Sequence, residues 1–212
     1  MRRGLALCVV AGALLAASPA LAQRNWASGD DRSHRHEGMF MRFDAGLGYL
    51  SAGTSLNGSS SALSGAAGSF GFSLGGNVVE DLSLFGHVGI SFVSDPKNTL
   101  PGATGTGGST LAFAAVGPGL NYYFTPSNFY VSGMLLITRL TITDSNNNVG
   151  STQAGFGAKM AVGKEWWVSD HWGMGIAAQL TLGTNPDQDS GTGNTPTWTT
   201  ITPALAFSAS FN

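Results

Sequence analysis

Through most of this chain apolar side chains occupy alternate positions, with glycine, serine, threonine or charged residues between them, and the pattern recurs in about eight runs. A period of two sends successive side chains to opposite faces, so each run predicts a strand with one apolar and one small or polar face. The first strand, Phe40 to Ser51, sets Phe43, Ala45, Leu47 and Tyr49 against Arg42, Asp44, Gly46 and Gly48. After a Ser/Gly-rich loop from Ala52 to Ala67, the second sets Phe70, Phe72 and Leu74 against Ser69, Gly71, Ser73, Gly75 and Asn77. The third, Leu82 to Val93, opposes Leu84, Val88, Ile90 and Phe92 to Ser83, Phe85, His87 and Ser91. In the fourth, Ser109 to Phe124, Pro118 and its flanking glycines predict a bulge that shifts the register. The fifth, Phe129 to Ile142, is apolar on both parities, so periodicity leaves its faces unassigned. The sixth, Thr152 to Trp166, sets Ala154, Phe156, Ala158, Met160 and Val162 against Gln153, Gly155, Gly157, Lys159, Gly163 and Glu165. The seventh opposes Trp172, Met174, Ile176, Ala178, Leu180 and Leu182 to Gly173, Gly175, Gln179 and Thr181, and the last opposes Ile201, Leu205, Phe207 and Phe211 to Thr200, Thr202, Ser208 and Ser210.

The connections alternate too. Short turns at Glu80-Asp81, Thr125 to Asn128 and Val168 to His171 take turns with long loops at Ala52 to Ala67, Ser94 to Gly108, Asp144 to Asn148 and Gly183 to Thr195. A sheet can span lipid only by closing on itself, because no water is present to pair its backbone groups. The pattern therefore predicts an all-β fold, a closed antiparallel up-and-down transmembrane β-barrel of about eight strands over residues 39–212, with both termini on the short-turn, periplasmic side. The alternative is a soluble lipocalin-type barrel or a sandwich with its apolar face inward. Its weakness is that the opposite face, mostly Gly, Ser, Ala and Thr, would give a soluble barrel very little polar cover.

Composition supports the membrane reading. Charged residues make up 10% of the chain, against about 25% in an ordinary soluble domain, and 31 of 212 residues are glycine. Only the extreme N-terminus is apolar over a long stretch, and it reads as a signal peptide, residues 1–22. Arg2 and Arg3 form the positive region, Leu5 to Ala16 the apolar region and Ala20-Leu21-Ala22 the cleavage site. The single cysteine, Cys8, would leave with it, so no disulfide is expected. Residues 23–38 are polar and aperiodic and read as a mobile periplasmic lead-in. A net charge of −2 argues against a nucleic-acid partner.

The aromatic residues Tyr122, Tyr123, Phe124, Phe129, Tyr130, Trp166, Trp167 and Trp172 all fall near the short-turn end and are expected to form an interfacial girdle, with Lys164 snorkelling beside Trp166. The inward parity supplies a polar lumen network of Arg42, Asp44, His87, Lys159, Glu165 and Gln179, and depth along the strands predicts two charge pairs, Arg42 with Glu165 and Asp44 with Lys159. An eight-stranded bore is just filled by side chains. Inward glycines such as Gly71, Gly75, Gly89, Gly155, Gly157, Gly173 and Gly175 nevertheless leave space for water. Arg139 lies near the loop end of the fifth strand. Outward, it would meet lipopolysaccharide phosphates, for which a guanidinium fork is suited; inward, it would be one more lumen arginine. Ser83 and Ser91 share the His87 face but lie four residues away, about 13 Å along a strand, too far for a hydrogen-bonded nucleophile and base, while a serine arriving from a neighbouring strand stays open. His34 and His36 are read as solvated rather than as metal ligands, and no cofactor motif is present.

The signal peptide, the hairpin pattern and the alternating Leu205-x-Phe207-x-Ala209-x-Phe211 terminus resemble the small eight-stranded outer-membrane proteins of the OmpA-barrel, OmpX and opacity-protein type. The resemblance implies residence in the outer membrane, contact with its lipid and lipopolysaccharide, and a terminal strand whose aromatics, here Phe207 and Phe211, are read by the barrel-assembly machinery. Asn212 after Phe211 departs from that pattern. Some members of this type act on acyl chains of membrane lipid. The residues here favour instead a non-enzymatic structural and surface-exposed role with loops for contact or adhesion, the alternative being a narrow channel for small solutes.

Overall fold

The computed structural model describes residues 36–56, 59–99, 108–187 and 196–212. The expected signal peptide, nearly all of the lead-in with His34, and the tips of three loops lie outside the described residues. In chain order the strands are β1 (Met39–Leu56), β2 (Ser59–Val79), β3 (Leu82–Ser94), β4 (Lys97–Asn98), β5 (Thr110–Phe124), β6 (Phe129–Thr143), β7 (Val149–Ser151), β8 (Gly155–Trp167), β9 (Trp172–Pro186) and β10 (Thr197–Phe211). Eight long strands form one antiparallel sheet that closes where β10 pairs with β1, from Met41↔Phe211 to Gly53↔Thr199. The short β4 and β7 add to β2 and β6 at the loop end.

Three sequence expectations about the strands are corrected. Within the span Ala52 to Ala67, expected as a loop, residues 52–56 and 59–67 form a ladder, because β1 and β2 pair without interruption from Met39↔Gly76 to Leu56↔Ser59. Backbone pairing needs no apolar alternation, so the hairpin continues past the point where its outward residues turn small and polar. Pro118 produces no register shift. Val116↔Ile137 and Gly119↔Met134 keep the same register, and only positions 117 and 118 drop out of the β5–β6 ladder. Pro118 has no N–H to offer a neighbouring strand, and its pairing with Gly86 of β3 is kept while that with β6 is interrupted. The register irregularity lies instead between β2 and β3, at Asn77/Val79. The faces of the fifth run are also resolved: Tyr130, Ser132, Met134, Leu136, Thr138 and Leu140 of β6 point inward and Arg139 outward.

The outer wall is apolar, with Leu47 78%, Phe156 77% and Leu205 73% exposed. That inside-out arrangement is opposite to the soluble barrel or sandwich. Within the lumen two apolar clusters lie at different heights. Toward the short-turn end are Phe40, Phe85, Tyr123, Tyr130, Met134 and Leu136 with two alanines. Toward the loop end are Leu50, Leu63, Val93, Leu111, Phe113 and Leu140, also with two alanines.

Several inward glycines are notches filled by large neighbours rather than open space. A Cβ on Gly163 would stand 2.6 Å from the Tyr130 ring, one on Gly119 2.6 Å from Phe85, and one on Gly183 2.5 Å from Phe113. Gly71 and Gly89 flank the His87 ring in the same way, at 2.9 and 2.8 Å. The expectation that such glycines leave space for water fails at these filled notches, although Gly71 and Gly89 also line one small cavity beside His87. Gly163→Val is expected to cost about 1–3 kcal/mol through overpacking against Tyr130, seen as a lower urea midpoint in detergent micelles. Gly133→Ala, which meets nothing within 4 Å, should leave the midpoint unchanged.

Candidate functional site

The chemistry of the barrel is concentrated in its lumen, in two tiers and a capped mouth. The lower tier is built around Arg42 of β1, which is 3% exposed. Its Nη2 lies 3.1 Å from Glu165 Oε1, so the pair expected from depth is in contact. The guanidinium also donates to Tyr123 Oη at 2.8 Å and Asn121 Oδ1 at 3.1 Å, and its Cζ sits 4.0 Å from the Tyr130 ring centre. Glu165 accepts from Tyr123 at 2.8 Å, Ser210 at 2.6 Å and Ser208 at 3.3 Å. This reach depends on β9. Glu165 on β8 crosses Gly173 and Gly175 to meet β10, and a Cβ on Gly175 would stand 2.6 Å from Glu165 Cγ. The buried charges are thus paired, and their remaining hydrogen-bonding capacity is largely met.

The upper tier holds Asp44, His87, Lys159 and Gln179, all less than a tenth exposed. Gln179 Nε2 donates to Asp44 Oδ1 at 3.2 Å, and His87 Nδ1 lies 2.9 Å from Ser73 Oγ. The expected Asp44–Lys159 ion pair is absent among the described residues. Depth counted along separate strands ignores the stagger that closing a barrel imposes. The ladders lead from Asp44 through Ser208 and Gly175 to Glu165, whereas Lys159 pairs with Thr181 on β9. Ser73 is also the serine that reaches His87, from the neighbouring strand; Ser83 bonds Asn77 instead.

The girdle needs a second correction. Tyr122, Phe124, Phe129 and Trp166 are exposed on the outer wall, and Trp172 lies on the same face with its ring 5.5 Å from that of Phe211. Tyr123 and Tyr130 are buried in the lumen, and Trp167 faces its mouth. Adjacent strand residues alternate faces, so consecutive aromatics divide between wall and lumen. Lys164 lies outside, its Nζ 4.7 Å from the Phe129 ring centre and 5.9 Å from that of Trp166. Phe207 and Phe211 point outward on β10, and Arg139 is exposed on β6.

Periodicity gave no sign of the third feature. His36, expected in a mobile lead-in, is 2% exposed and caps the short-turn mouth. Its ring stacks 3.5 Å from that of Tyr123 with 5° between planes, stands 4.9 Å from Trp167 and lies 3.4 Å from Asn128 Oδ1. Burial pushes its pKa below the ordinary 6.5, against smaller upward pulls from Asn128 and the charge of Glu165. The docked form therefore binds fewer protons than the free form, so His36 docking is fully stabilising above pH 6.5 and weakens as pH falls below it. Lowering the pH from about 7.5 to about 5.5 should reduce the urea midpoint of the wild type more than that of His36→Gln; equal reductions would contradict it.

Among the described residues no group of three His, Cys, Asp or Glu side chains could hold a metal ion. No protein-family model and no curated protein matches this chain. Among solved structures it is similar to Neisserial surface protein A, at 16% identity over 82% of this chain and 96% of that one, with a TM-score of 0.51. It is also similar to OprG from Pseudomonas aeruginosa, at 14% identity over 86% and 100% with a TM-score of 0.43. A third is Ail, the attachment invasion locus protein of Yersinia pestis, at 11% identity over 81% and 99% with a TM-score of 0.41. With its closed eight-stranded sheet, apolar wall and polar lumen, this chain has the fold of the small outer-membrane β-barrels.

Proposed function

We propose that the protein is an integral outer-membrane barrel with a sealed lumen, serving a structural and surface-exposed role in which the long loops make the contacts. The observation that carries this reading is the lumen filling: apolar clusters lie toward both ends of the barrel, one at each side of the upper polar tier, and His36 covers the short-turn mouth. With the bore occupied, the loops and the outer wall are what remain to act. The runner-up, a channel for small solutes, drew its support from inward glycines, and most of those notches are filled, leaving a cavity of only about 20 Å³ beside Gly71 and Gly89. An enzymatic role is disfavoured because the Ser73–His87 contact lies in the filled interior, out of reach of a lipid substrate.

In this reading both termini lie in the periplasm and the long loops outside. Arg139, exposed on the outer wall at the loop end, contacts lipopolysaccharide phosphate, and the outward Phe207 and Phe211 present the assembly signal. An epitope inserted at Asn146 should be labelled by antibody on intact cells, and one inserted at Ser169 only after the outer membrane is permeabilised. Labelling of the Ser169 insertion on intact cells would reverse the topology and defeat the proposal.

A further inference from the structure

A cavity of about 20 Å³ lies in the upper tier, lined by Asp44, His87, Lys159, Gln179 and Thr202 among others. Its size suits a single water molecule, which needs roughly 10–15 Å³ measured in this way. Two of its lining groups lack partners. Lys159, a residue 7% exposed, makes no ion pair or hydrogen bond among the described residues, and Thr202 Oγ1 is buried without a hydrogen bond. Asp44 accepts from Gln179 but still has acceptor capacity, since a carboxylate offers about four lone-pair sites.

We propose that this cavity is a built site for one water-sized ligand, and that the ligand is a water molecule accepting a hydrogen bond from Lys159 and donating one to Asp44. Charge decides between water and a small anion. Arg42 and Glu165 cancel as a contact pair, and Lys159 and Asp44 cancel across the cavity, so the lumen network is neutral without a guest. A halide would add an uncompensated charge between two apolar clusters, where burying an unpaired ion is strongly unfavourable. It would also leave Asp44 without a donor on that side. A water satisfies the cation and the carboxylate together, converting two buried charges that do not touch into one bridged pair. It also explains why a lysine is tolerated so deep in the barrel without a direct partner.

The test is a high-resolution crystal structure of the full barrel from crystals soaked in sodium bromide. The expected result is one density peak in the cavity within hydrogen-bond distance of both Lys159 and Asp44, with no anomalous bromine signal. An anomalous peak there would assign the site to an anion, and an empty cavity with Lys159 touching Asp44 directly would remove the ligand altogether; either overturns the proposal. The milder Thr202→Val variant guards against a Lys159→Met protein that does not fold. It removes the cavity's other unpartnered group and should weaken the peak, and Lys159→Met, where it folds, should lose it; a peak of unchanged strength in Thr202→Val overturns the proposal.

Discussion

Replacing Arg42 with methionine is expected to lower the unfolding free energy of the barrel by about 3–5 kcal/mol, because it leaves a buried carboxylate without its cation. Glu165 would retain hydrogen bonds from Tyr123, Ser208 and Ser210, but its charge would be opposed by nothing within reach. Urea titration in lipid vesicles reads this as a large fall in midpoint at unchanged slope. Removing both charges with Arg42→Met and Glu165→Met should cost less than the single change, since desolvating two ions offsets much of what their attraction returns. A single-variant loss under about 1 kcal/mol would mean that water reaches the lower tier and solvates the carboxylate.

Phe113→Ala is expected to cost a similar 3–5 kcal/mol, the usual range for deleting a buried phenylalanine. The ring is 1% exposed, belongs to the loop-end cluster and fills the notch over Gly183. The size of the effect is diagnostic. In a water-filled lumen the ring would already be hydrated and its loss nearly neutral, whereas in a packed lumen it leaves a void that the surrounding strands cannot collapse to fill. Thermal unfolding in detergent with no measurable shift would count against a packed loop-end cluster.

The fold was legible in the sequence because lipid imposes a strict rule on the outer wall: residues such as Leu47, Phe156 and Leu205 must be apolar, and alternation records that rule directly. No such rule operates where the sheet leaves the lipid, and the Ser- and Gly-rich ladder between Ala52 and Ala67 therefore looked like a loop. The lumen was legible residue by residue but not in its contacts. Parity placed Arg42, Asp44, His87, Lys159, Glu165 and Gln179 inside. Which of them touch depends on stagger around the barrel, and this separates Asp44 from Lys159. Glycine was misread in a physically simple way, since an absent side chain on one strand is room for a large one on the next, as Gly163 shows with Tyr130. The capping of the mouth by His36 joins positions as distant in sequence as Tyr123, Asn128 and Trp167, and nothing in local pattern encodes that meeting.

The central claim is that the lumen is sealed, and single-channel recording in planar lipid bilayers tests it most directly. The protein, shown to be folded by heat-modifiable migration on a gel, should insert without producing discrete conductance steps at any holding potential. Stable unitary openings from the folded protein, reduced by substitution of Arg42 or Lys159, would contradict the account and make the lumen a conducting path.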